Sequence, residues 1–269
     1  MRQRVVLKWG GGLITEKGQL KTVREEVLND LAQQIEQVME EDIDVILVHG
    51  AGSFGHLKAK QYRLAEGHVE GATFDGPLTQ DEAVTDVRND MLALNEHVLN
   101  ALTRLDISAV SLAPHQWARN TGPSFEGDLS LFRDAPKGIV VVTHGDVVDC
   151  DEPKRFGILS GDDLVVRLAT ELPGVNRLVF AMGGVEGVLS QPPGVSSEAY
   201  LIERLTENMF FEGEHAVEMD VTGGIGLKVN RGFLVHKQGI EVLLVSGEHA
   251  QRVTQACLGQ QVRGTKLAS

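Results

Sequence analysis

The chain is poor in cysteine and in basic charge, and it has no long uninterrupted hydrophobic run. Its two cysteines, Cys150 and Cys257, lie far apart without metal-ligand spacing. They give no disulfide framework and suit a reducing compartment. Lysine and arginine number 25 against 38 aspartate and glutamate residues, a formal charge of -13. A surface field of that sign repels nucleic acid and anionic membrane, so neither is an expected partner, and any bound phosphate must be gripped by a local site. No apolar stretch approaches the about 18 residues that a membrane span needs. The opening MRQRVVLKWGGG enters strand-like sequence at once, leaving no room for a signal peptide, and a cytoplasmic location is expected. Internal repeats, low-complexity tracts and charge blocks are also missing.

What is present is an alternating pattern. Of the 269 residues 42% are hydrophobic, enough to bury a substantial core. Apolar, β-branched runs recur at Val5 to Trp9, Asp44 to Val48, Ile107 to Leu112, Gly138 to Thr143, Arg177 to Ala181 and Glu241 to Val245. Between the first two, Val23, Val27, Leu31, Ile35 and Val38 follow a helical period, as do Val84, Val87, Met91, Leu94, Val98, Leu102 and Leu105 further on. This predicts an α/β fold with a largely parallel central sheet buried on both faces and crossover helices between strands. Residues Arg63 to Thr79, Gln116 to Pro136 and Gly183 to Ser196 break the pattern and read as loops or small hairpins over the sheet. The simplest partition is a single domain, with an N-terminal lobe over about residues 1–145 and a C-terminal lobe over about 146–269.

Two glycine-rich turns fall where an apolar strand ends, KWGGG at Lys8 to Gly12 and HGAGSFGH at His49 to His56. A third, DVTGGIG at Asp220 to Gly226, leads into a helical segment. Ligands of open α/β sheets sit beyond the carboxyl ends of the strands, where backbone N–H groups and helix N-termini face an anion. Glycine lets the backbone approach phosphate oxygens closely. One such turn is as well explained by a tight connection; three together suggest a ligand with several phosphates. A P-loop of the form G-x-x-x-x-G-K-[ST] is absent, and GAGSFG matches the dinucleotide fingerprint only in its letters. Lys8, Lys17 and Lys228 lie beside these turns, where transfer between two phosphates needs positive charge along the path. A solvated surface lysine is the alternative, least apt for Lys8, whose strand setting would bury an unpaired ammonium.

These motifs resemble one family. LKWGGGLITEK is similar to the opening of isopentenyl phosphate kinases, HGAGSFGH to their substrate loop, HGDVV with SGDDL to their central segment, and DVTGGIGLK to their nucleotide-side turn. GTKL at Gly264 to Leu267 resembles their closing strand, so the resemblance covers nearly the whole chain. It implies an amino acid kinase-like three-layer αβα sandwich, ATP with Mg²⁺, and a homodimer. It implies further that Lys8 and Lys228 stabilise the moving γ-phosphoryl group, that Asp162 orients both lysines, and that Lys17, nine residues after Lys8, holds the nucleotide or bridging phosphates. Gly10, Gly11, Gly12, Gly52, Gly223 and Gly224 would face the nucleotide. His56 would donate to the acceptor's phosphate, with Ala51, Gly52 and Gly55 completing that cradle and Gly157, Ser160 and Gly161 nearby. No residue is assigned as a metal ligand. Asp162 has a second reading as an N-terminal helix charge beside a capping Ser160.

Two departures stand out. The family's Gly-Gly-Ser is Gly10, Gly11 and Gly12 here, and its T-D-V-D-G aligns with Gly183, Gly184, Val185, Glu186 and Gly187, which removes an acidic residue from the nucleotide side. The expected chemistry is direct in-line transfer to a phosphate oxygen, with residues of the stretch Met91 to Leu102 lining a pocket for the acceptor's hydrocarbon tail. A fosfomycin-type phosphonate kinase, an acyl-phosphate-forming kinase and a non-catalytic nucleotide sensor are the rivals.

Overall fold

The computed structural model describes residues 2–16, 18–192, 199–209, 224–249 and 251–269. Strand β1 (Gln3–Trp9) is followed by a single turn, α1 (Gly11–Ile14), and by the long helix α2 (Glu25–Glu40). Strand β2 (Ile43–His49) leads into α3 (Gly52–Gln61) and α4 (Gln80–Thr103), and β3 (Ala109–Ser111) follows. Strands β4 (Ala118–Arg119) and β5 (Glu126–Gly127), helix α5 (Ser130–Arg133), and strands β6 (Val140–His144), β7 (Asp146–Asp149) and β8 (Phe156–Leu159) complete the first half. The second half runs α6 (Gly161–Glu171), β9 (Val175–Met182), β10 (Arg204–Thr206), α7 (Ile225–His236), β11 (Glu241–Ser246), α8 (Arg252–Leu258) and β12 (Gly264–Ala268).

Eight strands form one sheet in the order β10-β12-β11-β9-β1-β2-β6-β3. Every pairing within it is parallel except β11 with β12. Strands from before residue 145 fill one half of this sheet and those from after it the other, meeting at the β1–β9 seam. The period-two alternation of the strands sorts side chains between two cores. Val5, Leu7 and Trp9 pack with α2, α4 and α8, while Val6 packs with α6 and α7 on the opposite face. The three-layer αβα arrangement and the predominantly parallel sheet expected from the sequence are therefore present.

The crossover helices form for local reasons. On α2, Leu28, Leu31, Ala32, Ile35 and Val38 make one buried stripe, and Glu25 and Glu26 complement the positive end of the helix dipole. On α4, Thr79 and Glu82 close a capping box, in which Thr79 Oγ1 accepts from the Glu82 amide at 3.2 Å and the Glu82 carboxylate accepts from the Thr79 amide at 2.8 Å. No described helix is long and apolar enough to cross a membrane.

Of the three stretches read as loops or small hairpins over the sheet, the middle one carries the antiparallel pair β4–β5 and helix α5. Strands β5, β4, β7 and β8 form a second, four-stranded sheet. The β7–β8 hairpin leaves the main sheet at Gly145 and returns the chain to Ser160, at the start of α6.

Candidate active site

The residue after each of four strands adds one more ladder bond before the chain turns away. Gly10 N donates to Ala181 O at 2.9 Å, Gly50 N to Trp9 O at 3.0 Å, Gly145 N to His49 O at 3.0 Å, and Gly247 N to Met182 O at 2.8 Å. The glycine turns thus stand in a row along the carboxyl edge of the sheet, and the N-termini of α1, α3, α6 and α7 open from this edge. Between them lies a cavity of about 580 Å³ lined by Lys8, Gly10, Gly11, Gly12, His56 and Lys228 among others. Helix N-termini and two ammonium groups around one space are the elements from which an anion site is built.

Close packing of the turns explains their glycines. A Cβ at Gly11 would stand 2.2 Å from Gly52 N, and one at Gly52, where φ is +50°, 2.1 Å from Thr15 Oγ1. Thr15 fastens the two turns, its hydroxyl donating to Gly11 O at 2.9 Å and accepting from Ser53 N at 3.0 Å. Nothing in the spacing of glycines and lysines marks Thr15; its role exists only where α1 meets α3.

Lys8 follows from strand parity. One step out of phase with Leu7 and Trp9, it shares the face of Val6 and so points at the start of α6. There Asp162 Oδ1 accepts from Lys8 Nζ at 2.6 Å and Asp162 Oδ2 from Lys228 Nζ at 3.1 Å. The carboxylate is 1% exposed, so the triad is desolvated and its geometry fixed. Burial opposes ionisation of Asp162, but the fields and hydrogen bonds of Lys228 and Lys8 outweigh it and hold the carboxyl below its usual value. Burial pushes the Lys8 ammonium down to about 8, against the raising influence of Asp162 and with the lowering influence of Lys228 added. Ser160 caps α6 as well, its Oγ accepting from Asp163 N at 3.1 Å, so the helix-start reading of this segment holds together with the ion triad.

On the other side of the cavity, α3 presents His56 and Leu57, and Ala51, Gly52 and Gly55 also line the wall. Ser160 and Gly161 do too, whereas Gly157 does not. Gly157 sits in β8 opposite Val148, and a Cβ there would meet Thr121 and Lys154; strand alternation turns its neighbour Ile158 to the cavity instead. Lys17 and Gly223 lie outside the described residues; Gly18 and Gly224, their neighbours, line the cavity. Of the stretch Met91 to Leu102, only Met91 reaches it, joined by Val87 one turn earlier, while Leu94, Val98 and Leu102 point into the core. One helix face serves both purposes, and a hydrophobic period does not say which end of the stripe is uncovered.

The altered nucleotide-side segment is held by charges that the sequence did not connect. Gly184 N donates to Glu248 Oε2 at 3.1 Å, Arg24 Nη1 donates to Glu248 Oε1 at 2.9 Å and also to Leu13 O at 3.2 Å. Glu186 faces away, accepting from Arg252 at 3.1 Å and from Arg263. A carboxylate from the loop after β11 thus tethers the loop from which the expected acidic residue is missing. A second carboxylate, Asp90 on α4, takes Lys58 of α3 and Lys21 of the loop between α1 and α2, each at 2.6 Å.

A profile of the amino acid kinase family matches residues 3–246. The isopentenyl phosphate kinase of Methanothermobacter thermautotrophicus is 31% identical, with 98% of each chain covered. That of Thermoplasma acidophilum is 32% identical over 93% of this chain and 94% of its own. That of Arabidopsis thaliana is 27% identical over 96% and 92%. Among solved structures, an isopentenyl phosphate kinase superposes with a TM-score of 0.81 at 27% identity, covering 98% of this chain and 100% of that one. A UMP kinase from Ureaplasma parvum, at 18% identity and a TM-score of 0.64 with both chains fully covered, shares the fold.

Proposed function

Because the chain belongs to the amino acid kinase family, we propose that it transfers the γ-phosphoryl group of ATP to isopentenyl phosphate, giving isopentenyl diphosphate. The observation that carries this reading is the meeting of Lys8, Lys228 and His56, from three distant stretches, around one cavity floored by glycine turns. In this reading the acceptor lies over the N-terminal half of the sheet, against the start of α3, and the nucleotide over the C-terminal half, against the start of α7.

The chemistry asks for position and charge. A phosphate monoester with a second pKa of about 6 is already mostly dianionic at neutral pH, so the nucleophilic oxygen needs no general base. The obstacle is repulsion between two anions. Lys8 and Lys228 stand where the migrating group passes, and Asp162, which touches neither substrate, holds both ammonium groups at fixed points. His56 and the amides of the α3 turn grip the acceptor phosphate, and Val87, Met91, Leu57 and Ile158 offer its hydrocarbon tail an apolar wall. Among the described residues no group of three or more His, Cys, Asp or Glu side chains is arranged for a metal ion. Mg²⁺, when bound with the nucleotide, would neutralise charge on its phosphate oxygens.

Turnover by purified protein with ATP, Mg²⁺ and a panel of isopentenyl phosphate, fosfomycin, glutamate and carbamate tests the assignment. Isopentenyl phosphate is expected to give the highest kcat/KM; preference for another acceptor, or ATP binding without turnover, overturns it. In the same assay His56→Ala is expected to lower kcat/KM for the acceptor by about 10- to 100-fold, the worth of a charge-assisted hydrogen bond, with ATP affinity retained. Unchanged acceptor kinetics would remove His56 from the site.

The pH profile is a separate check. Since the free-state Lys8 loses its charge as pH rises through about 8, kcat/KM, which reports ionisations of the free enzyme, is expected to fall on that limb. Stability moves the other way. The unfolded lysine keeps its proton up to about 10.5, so between about 8 and 10.5 the unfolded state binds more protons and this group's contribution to stability rises with pH. Parallel rate and denaturation measurements should show the opposed slopes; a kcat/KM that is flat across that window contradicts the role given to Lys8.

A further inference from the structure

Two histidines outside the cavity wall end neighbouring strands in the same way. His49 closes β2 and His144 closes β6; they are partners in register, and each is followed by a glycine. Strand parity sends both side chains to the α4 face, where they are fully buried with ring centroids 5.2 Å apart. His144 Nδ1 lies 3.1 Å from Gly145 O, and its Nε2 has no hydrogen-bond partner among the described residues. His49 Nδ1 lies 3.2 Å from Gly50 O and its Nε2 3.1 Å from Asn95 Oδ1, while Asn95 Nδ2 lies 2.7 Å from Ser111 Oγ.

Burial keeps both rings neutral, reinforced at His49 by the neighbouring His144. A neutral imidazole has one N–H. In His144 only Nδ1 has an acceptor, so Nδ1 carries the proton. In His49 a bare Nδ1 would set its lone pair against that of the Gly50 carbonyl. Placing the proton on Nδ1 and turning the Asn95 amide by half a rotation satisfies every group: Asn95 then donates to Nε2 and accepts the Ser111 hydroxyl.

Each imidazole therefore donates to the carbonyl of the glycine that follows it. In a planar trans peptide the C=O and the next N–H point in opposite directions, so locking the Gly50 carbonyl on the buried side turns the Ala51 amide away from it. Gly50, Ala51, Gly145 and Asp146 line the cavity; the histidines do not. Packing demands glycine at Gly50, where a Cβ would stand 2.7 Å from Gly11 N. Glycine is also the residue that holds a backbone direction least well, and the buried ring supplies the missing constraint.

We propose that His49 and His144 are positioning residues whose Nδ1–H groups lock the Gly50 and Gly145 carbonyls and so set the direction of the backbone presented to the acceptor phosphate. This rests on the acceptor assignment made above. Asparagine carries an amide nitrogen near the place of imidazole Nδ1, glutamine near that of Nε2. His49→Gln and His144→Gln are expected to raise the acceptor KM by about tenfold while the ATP KM and kcat change little, and His49→Asn and His144→Asn should restore the acceptor KM. Equal behaviour of the Asn and Gln variants, or an effect spread evenly over both substrates, overturns the proposal. Imidazole ¹⁵N chemical shifts of the unsubstituted protein supply a readout that needs neither folding of a variant nor turnover. Both rings should show the Nδ1–H tautomer, and an Nε2–H ring at either position refutes the mechanism. If the protein fails to phosphorylate isopentenyl phosphate while both rings are Nδ1–H, the acceptor assignment falls and the peptide lock stands.

Discussion

Lys8→Met is expected to lower kcat by about 10²- to 10³-fold, the usual consequence of deleting one preorganised charge from a transition state, with a smaller effect on either KM. Methionine keeps the apolar stem of the side chain, which packs close enough that a Cβ at Gly161 would stand 3.3 Å from Lys8 Cε. The loss is then one of charge, not of volume. Because Lys8 lies on one oxygen of Asp162 and Lys228 on the other, its removal also leaves a buried carboxylate with half of its compensation. Removing one partner of a buried ion pair costs about 3–5 kcal/mol, and the retained Lys228 should keep the penalty toward the lower end. Rate and stability separate in the double variant Lys8→Met/Asp162→Asn. Neutralising the carboxylate is expected to recover most of the melting temperature and none of the rate, since the amide put in its place can still accept from Lys228 but no cation stands at position 8. A Lys8→Met enzyme within tenfold of the parent kcat, or a double variant that regains activity with stability, would show that Lys8 is there for the fold alone.

Gly11→Ala should be a severely damaging single methyl at the site. A Cβ at that position would lie 2.2 Å from Gly52 N and 2.8 Å from Gly52 Cα. Both are backbone atoms at the start of α3, so no side-chain rotation relieves the contact. The first turn of α1 and the first turn of α3 must separate, breaking the Thr15 bridge between them. Both turns line the cavity, on what the proposed function makes its nucleotide and acceptor sides, and a displacement of about 1 Å in such a site can cost about 10²-fold in rate. A drop of at least that size in kcat/KM for both substrates is expected. Gly10→Ala is the milder comparison, because its Cβ would meet Ala181 O at 3.3 Å, a contact relieved by a shift of a few tenths of an ångström, and its φ of -63° suits any residue. Steady-state kinetics on the two variants should therefore diverge sharply; similar losses would mean that the adjacent turns do not need their close approach.

Much of this architecture can be read along the chain. The six apolar runs are the strands β1, β2, β3, β6, β9 and β11, and the two helical periods are α2 and α4, because burial on both faces of a parallel sheet and on one face of a helix leaves unmistakable periodicities. Strands β7 and β8 escape such a reading for the opposite reason. They are four residues each, too short to display an alternation; β7 overlaps the motif HGDVV, whereas the motif SGDDL begins only after β8, at the start of α6. Nearness to Ser160 and Gly161 draws Gly157 toward the site, but in a strand neighbours along the chain face opposite ways.

By itself, then, the sequence determined the layer architecture, the glycine turns at the strand ends and the presence of a lysine inside a strand, since each depends on residues within a few positions of one another. The tertiary structure decided which groups meet. Lys8 finds Asp162 at a separation of 154 residues, Glu248 tethers Gly184 of another loop, and two histidines become neighbours because β2 and β6 do. Such pairings depend on strand order and on which helix covers which face, and these are settled only when the hydrophobic faces of distant segments are buried against one another.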